Sequence, residues 1–93
     1  MEIRDDQVFT VSSDVLFQEV SGETVLLDLA SEQYFGLDEV GTRVWQLLNE
    51  GQSLGAMLDV LLDEYEVERE RLEEDVRALL DSFIEAGLVV GGA

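Results

Sequence analysis

The stretch Val25-Leu26-Leu27-Asp28-Leu29-Ala30-Ser31-Glu32-Gln33-Tyr34-Phe35-Gly36-Leu37-Asp38 decides the fold, together with its continuation Glu39-Val40-Gly41-Thr42-Arg43-Val44-Trp45-Gln46-Leu47-Leu48. Thr24 to Leu29 is β-branched and leucine-rich, which predicts a strand. Ala30-Ser31-Glu32 is a polar turn, and Gln33 to Leu37 is a short following strand. The chain then steps directly into an amphipathic helix. The strand Gln33 to Leu37 can offer one edge to an incoming peptide. That edge, and not side-chain chemistry, is where the function is expected.

Upstream, Val8 to Val20 holds one or two strands interrupted by Ser12-Ser13-Asp14. Val15, Phe17 and Glu19 alternate with Leu16, Gln18 and Val20, a mixed pattern for a half-buried strand. Ser21-Gly22-Glu23 is a turn, and the strands together predict a small antiparallel meander. Downstream, Asp38 is an N-cap for a helix from Glu39 to Asn49, with Leu37 as a hydrophobic staple. Its expected buried stripe is Val40, Val44, Leu47 and Leu48, with Trp45 beside it. Gly51 provides a left-handed stop. Ser53 caps a second helix whose apolar face is Leu54, Met57, Leu58, Leu61 and Leu62, ending near Tyr65. A third helix runs from about Glu68 to Ala86 and is stopped by Gly87, although Glu68 is a poor capping residue. Leu88-Val89-Val90 suggests a short final strand, with Gly91-Gly92-Ala93 a frayed tail. The segments are short and closely spaced, so the 93 residues are expected to form a single domain, 1–93, of α+β class.

The third helix has a lopsided apolar arc. At about 100° per residue, Leu72, Val76, Leu79 and Phe83 define its core-facing centre. Leu80 and Ile84 extend the arc to one flank, bordered by Glu73 and Arg77. The opposite flank carries Asp75, Ser82 and the small Ala86. Extra apolar surface on one side is where a ligand can lie. The alternative is that Leu80 and Ile84 pack on the second helix.

Composition excludes more than it assigns. A hydrophobic fraction of 46% is that of a globular protein rather than an acidic disordered tail. Histidine and cysteine are both absent, which removes the common nucleophilic triads, thiolate zinc sites and disulfides. No phosphate-cradling glycine loop and no calcium-binding acidic loop occurs. Asp81-Ser82-Phe83 is similar to the attachment site of acyl carrier proteins, but that serine opens a helix and Ser82 falls well inside one. No cofactor, metal or catalytic residue is therefore expected. The N-terminus Met1-Glu2-Ile3-Arg4-Asp5-Asp6 is charged and precedes no apolar segment, and no run approaches a membrane span. A cytoplasmic location follows as the expectation.

Charge narrows the partners. Asp and Glu number 22 against 5 basic residues, a formal −17. All five are arginine: Arg4, Arg43, Arg69, Arg71 and Arg77. Such a field repels phosphate backbones and anionic lipid, so neither nucleic acid nor membrane is an expected partner. It attracts basic segments and speeds their encounter.

The strand pair Val25 to Leu37, the helix pattern Asp38-x-x-Gly41-x-x-Val44-Trp45-x-Leu47-Leu48, and Gly51, Tyr65, Asp75-Val76 and Gly87-Leu88-Val89 together resemble the PqqD-like family. The resemblance covers roughly residues 10 to 90. It implies a winged-helix-like arrangement in which a three-stranded antiparallel sheet precedes three helices. It also implies a role as recognition element in the biosynthesis of ribosomally made, modified peptides. In that family the precursor's leader peptide adds as a further strand beside the third helix. Carried onto this chain, the strand side is Glu32, Gln33, Tyr34, Phe35, Gly36 and Leu37. The helix side is Glu73, Arg77, Leu80, Asp81 and Ile84. The small form looks most like the leader-binding proteins of lasso peptide systems, which implies a separate leader peptidase and a cyclase as further partners. A rival of another class is an acidic adaptor or DNA mimic of winged-helix type. A DNA-binding winged helix is disfavoured because no stretch supplies a basic face.

Overall fold

The computed structural model describes residues 3–91. Its elements in order are β1 (Phe9–Val11), β2 (Val15–Val20), β3 (Glu23–Asp28), β4 (Gln33–Leu37), α1 (Glu39–Asn49), α2 (Leu54–Glu64), α3 (Arg69–Glu85) and β5 (Val89–Gly91). The antiparallel meander β2-β3-β4 forms one sheet, and β1 leaves it to pair with β5. The region before Ser12 is thus a separate strand, and its partner is the far end of the chain. Gly91 lies in β5, opposite Phe9, and is not part of a frayed tail. Gly92 and Ala93, like Met1 and Glu2, fall outside the described residues.

Local chemistry sets the turns. Ser21 and Gly22 both have positive φ, 52° and 82°. Two such residues between strands make the tight turn whose twist matches a hairpin. Between β3 and β4, the Asp28 carboxylate accepts from the Ala30 amide at 3.2 Å and the Ser31 hydroxyl at 2.8 Å. Glu32 then takes a left-handed φ of 59° to start β4. Asp38 caps α1 by accepting from the Gly41 amide at 2.8 Å. A Cβ on Gly41 would stand 3.2 Å from Asp38 Oδ1 and 3.3 Å from Leu37 Cβ, so glycine lets the first turn of α1 sit close against the end of β4. Ser53 caps α2 through the Ala56 amide, whereas Glu68 makes no side-chain cap for α3. Gly51 and Gly87, both left-handed, follow α1 and α3.

The core lies between the inner face of β2-β3-β4 and the three helices. The Trp45 ring is edge-on to Phe17 of β2, centroids 5.7 Å apart, and to Phe83 of α3 at 5.4 Å. Leu26, Val44, Leu47, Leu48, Leu54, Met57, Leu58, Leu61 and Val76 are among the buried core residues, whereas Phe17 is half exposed at its margin. Val40 is not in the buried stripe of α1: it is 37% exposed. On α3 the buried set is Leu72, Val76, Leu80 and Phe83, with Leu79 only partly covered. Leu79 and Leu80 thereby exchange the places expected of them.

Two elements pack on the Leu80 side of α3, namely α2 and the N-terminal segment. Ile3 is buried, and its carbonyl accepts from Arg77 Nη1. Arg77 Nη2 pairs with Asp5 at 2.9 Å and Nε with Glu73 at 3.0 Å. The carbonyls of Asp5 and Gln7 accept from the Gly55 and Leu54 amides, donors at the start of α2. This segment and α2 therefore close over the Arg77 side of α3. On the opposite wall of the bundle, Arg43 grips Glu64 at 2.8 Å and ties α1 to the end of α2. That hydrogen bond raises the Arg43 pKa and lowers that of Glu64 from their ordinary values.

Leu80→Ala removes a wholly buried side chain and is expected to cost about 2–5 kcal/mol. Leu79→Ala, at a partly covered site, is expected to cost less than half as much. Urea unfolding of the two variants beside the parent checks the difference.

Candidate peptide-binding edge and cleft

Hydrogen-bond parity decides which groups of β4 are free. The two-residue turn closes the β2–β3 hairpin on Val20 and Glu23, which exchange both main-chain bonds. Alternation then directs Glu23, Val25 and Leu27 toward β2, and Thr24, Leu26 and Asp28 toward β4. The bond from the Leu29 amide to the Asp14 carbonyl, 2.9 Å, keeps the same alternation beyond the strand end. Thr24, Leu26 and Asp28 face Leu37, Phe35 and Gln33 in the register. Tyr34 and Gly36 are left with amide and carbonyl turned outward. The strand order places β4 at the rim of the sheet, so this row of groups is open.

A cleft of about 530 Å³ runs beside this edge. Gly36 and Leu37 line it from β4, Asp38, Val40, Gly41 and Val44 from the start of α1, and Asp75, Val76 and Leu79 from α3. Its walls are mainly aliphatic, with Asp38 and Asp75 contributing negative charge. Asp38 is already engaged as a cap, which leaves Asp75 the carboxylate without a hydrogen bond to the chain among the described residues.

The residues expected on the strand side stand together. Gln33 through Leu37 form β4, and Glu32 sits in the preceding turn. Phe35 and Leu37 turn inward, whereas Tyr34 is 73% exposed on the outer sheet face. The residues expected on the helix side are not brought to this edge. Leu80 is wholly buried, Arg77 and Glu73 are tied to each other and to the N-terminal segment, and Ile84 packs partly on the core. Asp81 has a buried carboxylate oxygen with no hydrogen-bond partner and does not line the cleft. The flank of α3 that faces β4 is the other one. Leu79 on that flank is the residue that sequence reasoning missed. The signal was available: a leucine aligned with Asp75, Ser82 and Ala86 is a lone large apolar group on an otherwise small and polar side.

The arrangement suits an extended chain. An added strand receives main-chain bonds from Tyr34 and Gly36, and its alternate side chains enter the cleft. Among the described residues, no group of three or more Asp or Glu side chains is placed to hold a metal ion. No helix there is long and apolar enough to cross a membrane.

Proline tests the parity. Phe35→Pro removes an amide that bonds β3 and leaves its acceptor unpaired, a loss of about 1–3 kcal/mol. Tyr34→Pro removes an outward amide and is expected to change the melting temperature much less. Thermal unfolding followed by circular dichroism separates the two; equal destabilisation contradicts the assignment.

The family model for PqqD, coenzyme PQQ synthesis protein D, matches residues 23–89. A solved structure described as TbiB1 in complex with the TbiA(beta) leader peptide superposes with a TM-score of 0.84 at 38% identity, covering 89% of this chain and 96% of that one. A second, a lasso peptide synthetase B1 complexed with the leader peptide, gives 0.81 at 32% identity, covering 88% and 96%. A comparison with curated proteins gave no match.

Proposed function

The chain belongs to the PqqD family, and we propose that it binds the leader segment of a ribosomally made precursor peptide by strand addition to β4. The observation that carries this reading is the open row of Tyr34 and Gly36 main-chain groups beside an aliphatic cleft. Support comes from the two similar structures, each described as a complex with a leader peptide. The chain acts as one non-catalytic, cytoplasmic recognition domain of a lasso peptide pathway. It presents the tethered precursor to a leader peptidase and a cyclase. Tethering raises the effective concentration of the reacting segment at those enzymes.

Main-chain bonds supply pairing with little sequence demand, each contributing about 0.5–1.5 kcal/mol net. A flexible leader must also be ordered on binding, so apolar anchors are required. Val40, Val44, Val76 and Leu79 offer them a pocket. Of the residues first expected at the site, Glu32 to Leu37 keep a place in this proposal. Leu80 and Ile84 serve the packing of α3, Arg77 with Glu73 serves the hold on the N-terminal segment, and Asp81 has no leader contact in this proposal.

Three measurements test the reading, using a synthetic leader peptide of lasso type that binds the parent protein. Leu79→Ala should weaken leader affinity about tenfold, or 1.4 kcal/mol, in a fluorescence-polarisation titration. Arg77→Ala should lower the melting temperature but leave the affinity of the folded protein unchanged. The reverse pattern contradicts the assignment of the cleft. In stopped-flow mixing with a leader carrying Lys or Arg, the formal −17 charge should make association slow as salt rises, while dissociation changes less. Binding abolished outright by salt points instead to an acidic adaptor held by charge alone.

A further inference from the structure

The sheet β2-β3-β4 has a second rim, and β2 occupies it. The alternation that starts at the Val20–Glu23 pair directs Leu16, Gln18 and Val20 toward β3. It turns the amides and carbonyls of Phe17 and Glu19 away from the sheet. At the start of the strand the Val15 amide donates to the Ser12 carbonyl at 3.2 Å. The main-chain groups of Phe17 and Glu19 have no such partner among the described residues.

The features that usually blunt an open edge are missing from β2. It is six residues long against five for β4. It contains no proline or lysine, and its register runs unbroken from Val15↔Asp28 to Val20↔Glu23. Glu19 is its one charged residue. That side chain is turned to α1, where the carboxylate accepts from the neutral amide of Gln46. Both flanks of the edge are apolar. Leu16 and Val20, on the outer face, are each 54% exposed, and Phe17, on the inner face, is 49% exposed. A hollow of about 490 Å³ borders Leu16, Phe17 and Gln18 and continues over Val25, Leu27 and Tyr34. A strand added at β2 thus finds apolar seats for its side chains on either face.

Charge gives the chemistry of the occupant. From Asp5 to Thr42 the chain has no basic residue, so every charge on the sheet is a carboxylate. No arginine pairs with Glu19 among the described residues. Opposite charges on neighbouring strands favour pairing, and like charges oppose it. A second copy brings Glu19 again and no cation on its own β2. The strand that fits carries aliphatic residues toward Leu16 and Val20 and a Lys or Arg beside Glu19.

We propose that β2 is a second strand-addition site, taking an extended segment of a partner protein with aliphatic residues and a Lys or Arg opposite Glu19. The two rims stand two strand spacings apart, about 10 Å, so β2 and β4 hold separate chains at the same time. The site goes beyond leader binding and does not require it.

The test selects displayed random peptides of twelve residues on the parent protein, with excess lasso-type leader peptide present. Enriched peptides should combine aliphatic residues with a Lys or Arg. In residue-resolved amide exchange they should protect Phe17 and Glu19 and leave Tyr34 and Gly36 unchanged. Glu19→Lys should weaken them about tenfold, and replacing the peptide's Lys or Arg by Glu should restore binding to that variant. This restoration separates a charged contact from loss of folding. Glu19→Gln, which keeps a polar group beside Gln46, should weaken binding less. If no peptide is enriched, or the enriched ones protect Tyr34 and Gly36 instead, the inference is overturned. Peptides that protect Phe17 and Glu19 but bind Glu19→Lys equally overturn the charged contact. Protection of Phe17 and Glu19 that grows with protein concentration alone assigns the edge to a second copy, and that also overturns the proposal. Exchange at Tyr34 and Gly36 reports separately on the leader, so failure at β4 does not decide the result at β2.

Discussion

The Trp45 ring, held edge-on between Phe17 and Phe83, is the contact on which the remaining geometry depends. It belongs to α1 yet touches both β2 and α3, so it sets how far the sheet stands from the third helix. Aromatic pairs of this geometry add about 0.5–1.5 kcal/mol beyond the burial of their area. With that spacing fixed, α3 cannot collapse onto β4, and the cleft beside the strand stays open. Asp38 and Gly41 anchor the other end by pinning the start of α1 to the end of β4.

The second constraint is the hydrogen-bonding need of an edge strand. Each non-proline residue carries a strong donor and acceptor, and those turned outward from β4 have no partner among the described residues. Proteins usually blunt such an edge with charges, bulges or cover. Here β4 carries no lysine or proline, runs without a bulge and ends in glycine and leucine. The formal −17 charge supplies protection of another kind, since it keeps copies apart while drawing in basic segments. An edge that is chemically open but electrostatically selective is what a peptide-recognition domain requires.

Much of this was legible from local chemistry. The bounds of β4 and α1, the Asp38 and Ser53 caps and the glycine stops follow from turn and capping preferences acting over a few residues. What was not legible depends on distant partners. The pairing of β1 with β5 joins the two ends of the chain. The exchange of Leu79 and Leu80 has a similar origin. Their wheel positions differ by about 100°, and both border the same apolar arc. Leu80 is buried on the side of α3 that is packed by α2 and by the segment Ile3 to Gln7, which Arg77 holds from more than seventy positions away. Helical periodicity contains no information on that contact. Arg77, which looks from the helix alone like a ligand contact, pairs within the chain with Asp5, Glu73 and the Ile3 carbonyl. Val40 departs from its expected stripe for a related reason: the first turn of α1 borders the open cleft instead of the core.

Amide hydrogen exchange, resolved by residue and measured with and without bound leader peptide, tests the central claim most directly. The amides of Gln33, Phe35 and Leu37 already bond β3 and should be protected in both states. Those of Tyr34 and Gly36 should exchange rapidly in the free protein and become strongly protected when the leader is bound. Leader binding that leaves Tyr34 and Gly36 as exposed as before would contradict strand addition to β4.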